Sequence, residues 1–274
     1  MRQIRLHTNV IHLIGHIKSQ RRWPNLGIIM EFAANDTIKK FLQKHPGIAI
    51  DDIHGKSNSI CNPLYEDANA PTPEKLVDFI GQIANGMQHL SDMNIIHRKL
   101  GARNVFLDNK MVCKIGSFSM AIRTTETEKR NNMELQEKLP IRWMALESLN
   151  STCRKFSIKT DVWAFGILMW EILTFGKLPY PEIKDDDIVQ HVANGNRMKQ
   201  PSNCDTKLYD MMLRCWLKDS SDRPKFDVLV KDIQNLQSQI KNPESGYGNE
   251  KRRRDKRIPD VNRRLLKEPT DTDN

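Results

Sequence analysis

Ile96-His97-Arg98-Lys99-Leu100-Gly101-Ala102-Arg103-Asn104-Val105-Phe106-Leu107 is the stretch that decides the reading of this chain, and four more follow it in order. They are Lys114-Ile115-Gly116-Ser117-Phe118-Ser119-Met120-Ala121, Leu139-Pro140-Ile141-Arg142-Trp143-Met144-Ala145-Leu146-Glu147, Asp161-Val162-Trp163-Ala164-Phe165-Gly166, and Cys215-Trp216 with Arg223-Pro224. Upstream, Leu76, Ile80, Ile83, Met87 and Leu90 recur at three and four residues, with Thr72 as cap and Pro73 in the first turn. That spacing predicts a helix with one apolar face. Downstream, Thr160 to Leu173 is apolar nearly all round (Val162, Trp163, Phe165, Leu168, Met169, Trp170, Ile172), which predicts a helix buried at the centre of its lobe. Further helices are predicted at Asp185 to Asn194, at Leu208 to Leu217 and at Phe226 to Ile240. The last repeats Leu229, Ile233, Leu236 and Ile240 over too short a span for a coiled coil, so it reads as a packed terminal helix.

The flanks differ from this helical body. Residues 1–43 hold two apolar runs, Val10 to Ile17 and Leu26 to Phe32, on either side of Trp23-Pro24, and read as two strands. Residues 44–72 are rich in Pro, Gly, Asn, Asp and Ser with no period, and read as an inserted surface loop. Residues 73–241 form the helical part, and 242–274 a polar, basic tail without structure. The formal charge is +9, but Lys251 to Lys267 alone carries nine Lys/Arg against two Asp, so the folded part is close to neutral. Such a tail is a solvated extension, a nuclear import signal or a contact for anionic lipid, and specific nucleic-acid binding is not expected. Five cysteines, odd in number and spread without zinc-ligand spacing, predict reduced thiols. No apolar stretch is long enough to span a bilayer and the first residues lack a signal-peptide core, so a cytoplasmic location is expected.

The quoted stretches resemble, in order and spacing, the motifs of protein tyrosine kinases. Ile96 to Leu107 resembles the catalytic loop His-Arg-Asp-Leu-x-x-x-x-Asn, with a Gly-Ala-Arg-Asn ending similar to the tyrosine-specific form. Lys114 to Ala121 resembles the metal-binding Asp-Phe-Gly region, and Leu139 to Glu147 the tyrosine-kinase Leu-Pro-Ile-Arg-Trp-Met-Ala-Pro-Glu signature. The nearest likeness is to receptor kinases of the fibroblast growth factor receptor kind, which also carry an insertion where residues 44–72 lie. The resemblance implies an α+β, protein-kinase-like fold, mainly the helical C-lobe (73–241) with a remnant of the β-rich N-lobe and hinge (1–43). It further implies a buried pair between Glu147 and Arg223, and a bond from the Asp161 carboxylate to the backbone of the catalytic loop.

The same resemblance shows where chemistry is lost. Kinases place an Asp after His-Arg to accept the substrate proton; here the base position holds Lys99, and only Arg103 and Asn104 remain of the catalytic set. The metal-binding Asp is replaced by Ser117, a poor ligand for Mg²⁺, which leaves Asn104 and Ser117 as a degraded metal pair. Ser119 stands where the motif's Gly is expected. By resemblance Met30 is the gatekeeper, Glu31 and Ala33 offer the hinge backbone for adenine, and Phe106 takes the adenine-floor position usually held by Leu, where its volume fills the slot.

Neither a Gly-rich phosphate loop nor a candidate ATP-binding Lys is found in residues 1–9, so a product cut short at its N-terminus, or an edge covered by another surface, is expected. No tyrosine lies between Ser117 and Glu147; Thr124, Thr125 and Thr127 are hydroxyls there that another kinase could modify. The expected function is a catalytically inactive, tyrosine-kinase-like binding or allosteric module, a pseudokinase, whose partners are proteins, among them an active tyrosine kinase. The alternative is a residual ATP-dependent protein tyrosine kinase. No cofactor is expected in the first case, and ATP with Mg²⁺ in the second. If a longer product carries an anchor, the location becomes the cytoplasmic side of a membrane.

Overall fold

The computed structural model describes residues 4–18, 26–45, 70–126, 139–150, 154–202 and 204–241. The expectations for most of the insertion, for Thr127 and for the basic tail, with its lipid or import contact, fall outside the described residues. A hairpin of β1 (Leu13–Lys18) and β2 (Leu26–Met30) is followed by α1 (Ile38–Lys44) and the long α2 (Pro73–Asp92). Short strands β3 (Ile95–Ile96), β4 (Val105–Leu107), β5 (Cys113–Ile115) and β6 (Ile122–Arg123) bracket the two sequence stretches that matter most. The remainder is helical: α3 (Leu146–Leu149), α4 (Ile158–Leu173), α5 (Ile188–Ala193), α6 (Thr206–Cys215) and α7 (Phe226–Lys241). The sheets among the described residues are antiparallel pairs: β1 with β2, β3 with β6, and β4 with β5.

Sequence expectation and structure agree on the long helices. The α2 cap is Thr72, whose hydroxyl accepts from the Lys75 N–H, with Pro73 in the first turn. Its five periodic residues, Leu76 to Leu90, are all buried. In α4 a capping box between Ser157 and Thr160 starts the helix at Ile158, and every residue from Thr160 to Leu173 is buried. That packing depends on Gly166: a Cβ there would lie 2.6 Å from Trp216 Nε1 and 2.8 Å from Cys215 Cβ, so α6 and its end approach the α4 backbone directly.

The differences are at short elements. Val10 does not open β1; it makes an isolated parallel bridge to Ile115, and the strand begins at Leu13. The region taken as two strands also contains α1, capped by Thr37, whose hydroxyl accepts from the Lys40 N–H, with Ile38 and Leu42 buried. Seven residues are too few for a periodic signal, although the Thr37 cap before Ile38 and Leu42 is legible in retrospect. The Asp185 to Asn194 segment is a 3-10 turn, Asp185–Asp187, followed by α5. Cys113, Cys204 and Cys215 are reduced and buried. Among the described residues no helix is long and apolar enough to cross a membrane.

Candidate functional site

The loop between β3 and β4 is fixed from below by the central helix. Asp161, in the first turn of α4, accepts from the backbone N–H groups of His97 (2.6 Å) and Arg98 (2.9 Å). Burial pushes its carboxyl up to about 7, against the opposing pull of those two bonds and of Arg98. His97 is wholly buried; its Nδ1 accepts from the Lys99 N–H, so Nε2 carries the proton donated to the Gly116 carbonyl at 2.8 Å. Desolvation holds this imidazole down to about 4, which keeps it neutral. The loop is therefore tied both to α4 and to the segment that follows β5.

The second half of the loop is held by Glu171, an acid buried among the apolar residues of the second half of α4. Its Oε2 accepts from the Ala102 N–H (2.9 Å) and from Trp143 Nε1 (2.8 Å). Arg103 lies with its guanidinium 4.0 Å above the Trp143 ring and is attracted electrostatically by Glu171. Arg103 thus joins the loop to the 139–145 segment. Glu171 is a positioning residue that motif reading passed over; a carboxylate among the apolar residues of the second half of α4 was the available signal.

Lys99 is half-buried in this frame, and its carbonyl accepts from the Asn104 amide at 2.5 Å. Asn104 is buried, and its own carbonyl accepts from the Gly116 N–H at 2.9 Å. Ser117 follows, in the left-handed region (φ 62°). The loop thus brings Lys99, Arg103, Asn104 and Ser117 into one neighbourhood. As a donor set for Mg²⁺ it is poor: Asn104, held by its amide N–H to the Lys99 carbonyl, has only a neutral Oδ1 to offer, and Ser117 offers a hydroxyl where a hard cation needs a carboxylate.

The side that the resemblance assigns to a nucleotide is built by β2, β4 and β5. Met30, the gatekeeper by resemblance, closes β2 opposite Leu13 and is 45% exposed. Glu31 exchanges two bonds with His12, its N–H to the His12 carbonyl (2.9 Å) and its Oε1 from the His12 N–H (3.0 Å), and pairs with Lys114 at 3.2 Å. Ala33 is half-buried beside Phe32, which is 86% exposed. Phe106 has a receptor that motif reading did not reveal. A Cβ on Gly116 would lie 2.7 and 2.9 Å from Phe106 ring carbons and 3.5 Å from Ile11, so the ring occupies the space a side chain at 116 would need. Gly116→Ala is expected to destabilise the chain by about 1–3 kcal/mol through overpacking. A denaturant melt should show that cost largely relieved in a Phe106→Leu background.

The base of the lobe is closed by Arg223, whose guanidinium meets both oxygens of Glu147 at 2.6 and 2.9 Å. A helical lobe on a buried central helix, an Asp-anchored loop at its edge and this ion pair at its base together define the protein kinase class. The comparisons agree. The family model for protein tyrosine and serine/threonine kinases matches residues 1–233, and the chain belongs to that family. It is 36% identical over 241 residues to the tyrosine kinase receptor Cad96Ca of Drosophila melanogaster, covering 86% of this chain and 28% of that protein. It is 34% identical over 239 residues to ephrin type-A receptor 5 of Gallus gallus, covering 87% of this chain and 21% of the receptor. Against fibroblast growth factor receptor homolog 1 of Drosophila melanogaster the identity is 35% over 239 residues, covering 86% and 31%. The chain thus spans between 21% and 31% of the length of these relatives.

Proposed function

We propose that this chain is a tyrosine-kinase-like module that does not transfer phosphate and acts by binding proteins, among them a catalytically competent tyrosine kinase, on the cytoplasmic side. The observation that carries the reading is Lys99, seated in a loop whose supporting bonds from Asp161, Glu171 and Asn104 are all made. Scaffold has been kept where chemistry has been exchanged. A protonated ammonium has no lone pair to receive the substrate proton, and general-base assistance is worth about 10²–10⁴ in rate. With Ser117 and the neutral Asn104 amide, the pair lacks the carboxylate that would hold the metal which spreads charge in the transferring phosphoryl group.

The test is radiolabel transfer from ATP to a tyrosine polymer, run beside thermal unfolding with ATP alone and with ATP plus Mg²⁺. No transfer above blank is expected, with a cooperative melt that Mg²⁺-ATP leaves in place. A ligand at 100 times its Kd would add about 2.7 kcal/mol, which such a melt resolves. Transfer that disappears in Asn104→Ala would instead establish the residual kinase. The partner half of the proposal requires co-purification with an active receptor-type tyrosine kinase, and its failure with every such kinase tried would remove it.

A further inference from the structure

The segment ahead of β1 is attached to the helical lobe through α2 and β5, and the attachment runs through two histidines. Asn9 is buried: its amide donates to the Cys113 carbonyl (3.1 Å) and to Gln82 (3.4 Å), and its carbonyl accepts from the Ile115 N–H (2.9 Å). Ile11 donates to the Ile115 carbonyl at 2.8 Å. On the other side of this anchor the His7 ring stacks on His89 of α2, with centroids 4.7 Å apart and planes at 20°. His7 Nδ1 accepts from the Asn9 N–H at 3.0 Å, and His89 Nε2 donates to the Arg5 carbonyl at 3.0 Å. Arg5 N–H in turn meets Met93 Sδ at 3.4 Å, just past the end of α2.

The two rings respond differently to a proton. His89 keeps its bond to Arg5 when charged, because Nε2 donates in either state. His7 cannot take a proton on Nδ1 without losing the Asn9 bond. The groups that act on it are His89 from α2 and Lys114 from β5, with Arg5, His12 and His16 lining the same cavity, while the Glu31 carboxylate is paired to Lys114.

We propose that the His7–His89 stack is an acid-sensitive latch, which at neutral pH docks residues 4–12, and through them the β1–β2 hairpin, on α2 and releases them on acidification. Burial, His89 and Lys114 all hold the His7 imidazole below its ordinary value of 6.5. The sign follows from that direction. Docking is fully supported above pH 6.5 and is lost as pH falls through the lower docked value, with the opening equilibrium rising by at most about tenfold per pH unit between the two values for one proton taken up. Nothing in the latch depends on whether the chain transfers phosphate.

Hydrogen exchange of the full chain at pH 7.5, 6.5 and 5.5, corrected for intrinsic exchange rates, tests it. Protection in peptides covering residues 4–17 should fall between pH 7.5 and 5.5, by at most about tenfold, while peptides from α4 stay protected. His89→Phe keeps a stacked ring without the second charge and should hold its protection to lower pH. Unchanged protection at pH 5.5, loss shared equally by α4, or the same profile in His89→Phe would overturn the latch. Imidazole resonances of the wild-type chain give an independent reading, since a His7 that titrates at or above 6.5 would also overturn it.

Discussion

Replacing Arg223 by Met is expected to cost about 3–5 kcal/mol of stability, because a buried ion pair broken on one side leaves its partner charge uncompensated. The Arg223 side chain is 0% exposed, and besides the two contacts to Glu147 it donates to the carbonyls of Leu217 (2.9 Å) and Lys159 (3.0 Å). Its guanidinium also lies 5.0 Å from the Trp163 ring in α4. One side chain therefore connects α3, the start of α4 and the turn after α6. For a chain of this size each kcal/mol moves Tm by about 2–4 °C, so a fall of roughly 6–20 °C is expected in a thermal melt. Glu147→Gln, at a side chain that is 22% exposed, should cost less. The double change Glu147→Leu with Arg223→Leu should cost less than the sum of its parts, since neither charge is then stranded. Strict additivity would mean that the pair is not coupled.

The second large effect belongs to Asp161. Asp161→Ala removes the acceptor for two buried backbone N–H groups of the loop, each worth about 1–3 kcal/mol when left unsatisfied, so a loss of about 2–6 kcal/mol is expected. The loss should be local at first, with the 97–104 loop losing amide protection before α4 does. Asp161→Asn retains one carbonyl acceptor and carries no charge, and is expected to be milder. Its pH profile gives the distinguishing signature. Because the folded carboxyl titrates at about 7 against an ordinary value of 3.8, its proton favours the folded state most at low pH, and that contribution fades as pH rises from about 4 to 7. Urea melts across this range should therefore show a smaller decline with rising pH for Asp161→Asn than for wild type. Equal slopes would place the acidic shift elsewhere.

These effects explain why a chain with Lys99 and Ser117 still holds a kinase-like lobe. Asp161, Glu171, Arg223 and Glu147 act on backbone and on one another, and none of their bonds passes through the exchanged residues' side chains. Chemistry and architecture in this loop are carried by different atoms. The base position can change sign while its peptide keeps the same partners, namely the N–H to His97 and the carbonyl to Asn104.

Much of this was legible in the residues alone. The spans of α2, α4 and α7 follow from apolar periodicity sustained over several turns, a local property. The lobe's identity follows from five stretches in order, and the exchanges at 99 and 117 are single-letter facts. What the linear chain leaves open are contacts whose partners are far apart in sequence and whose elements are short. Strands of two or three residues, such as β3 and β6, carry no period and exist because their partner lies opposite. Phe106 read alone is an oversized floor, and only folding sets it on Gly116 and makes large and small a matched pair. Arg103 over Trp143 and His7 on His89 are likewise products of tertiary approach. By itself the sequence determined the class of fold and the exchange of two motif residues at 99 and 117, because both are written in local pattern and residue type. Only the tertiary structure decided what packs around those positions and what anchors the hairpin to the lobe, because packing and hydrogen bonding between distant segments are settled by close approach in space.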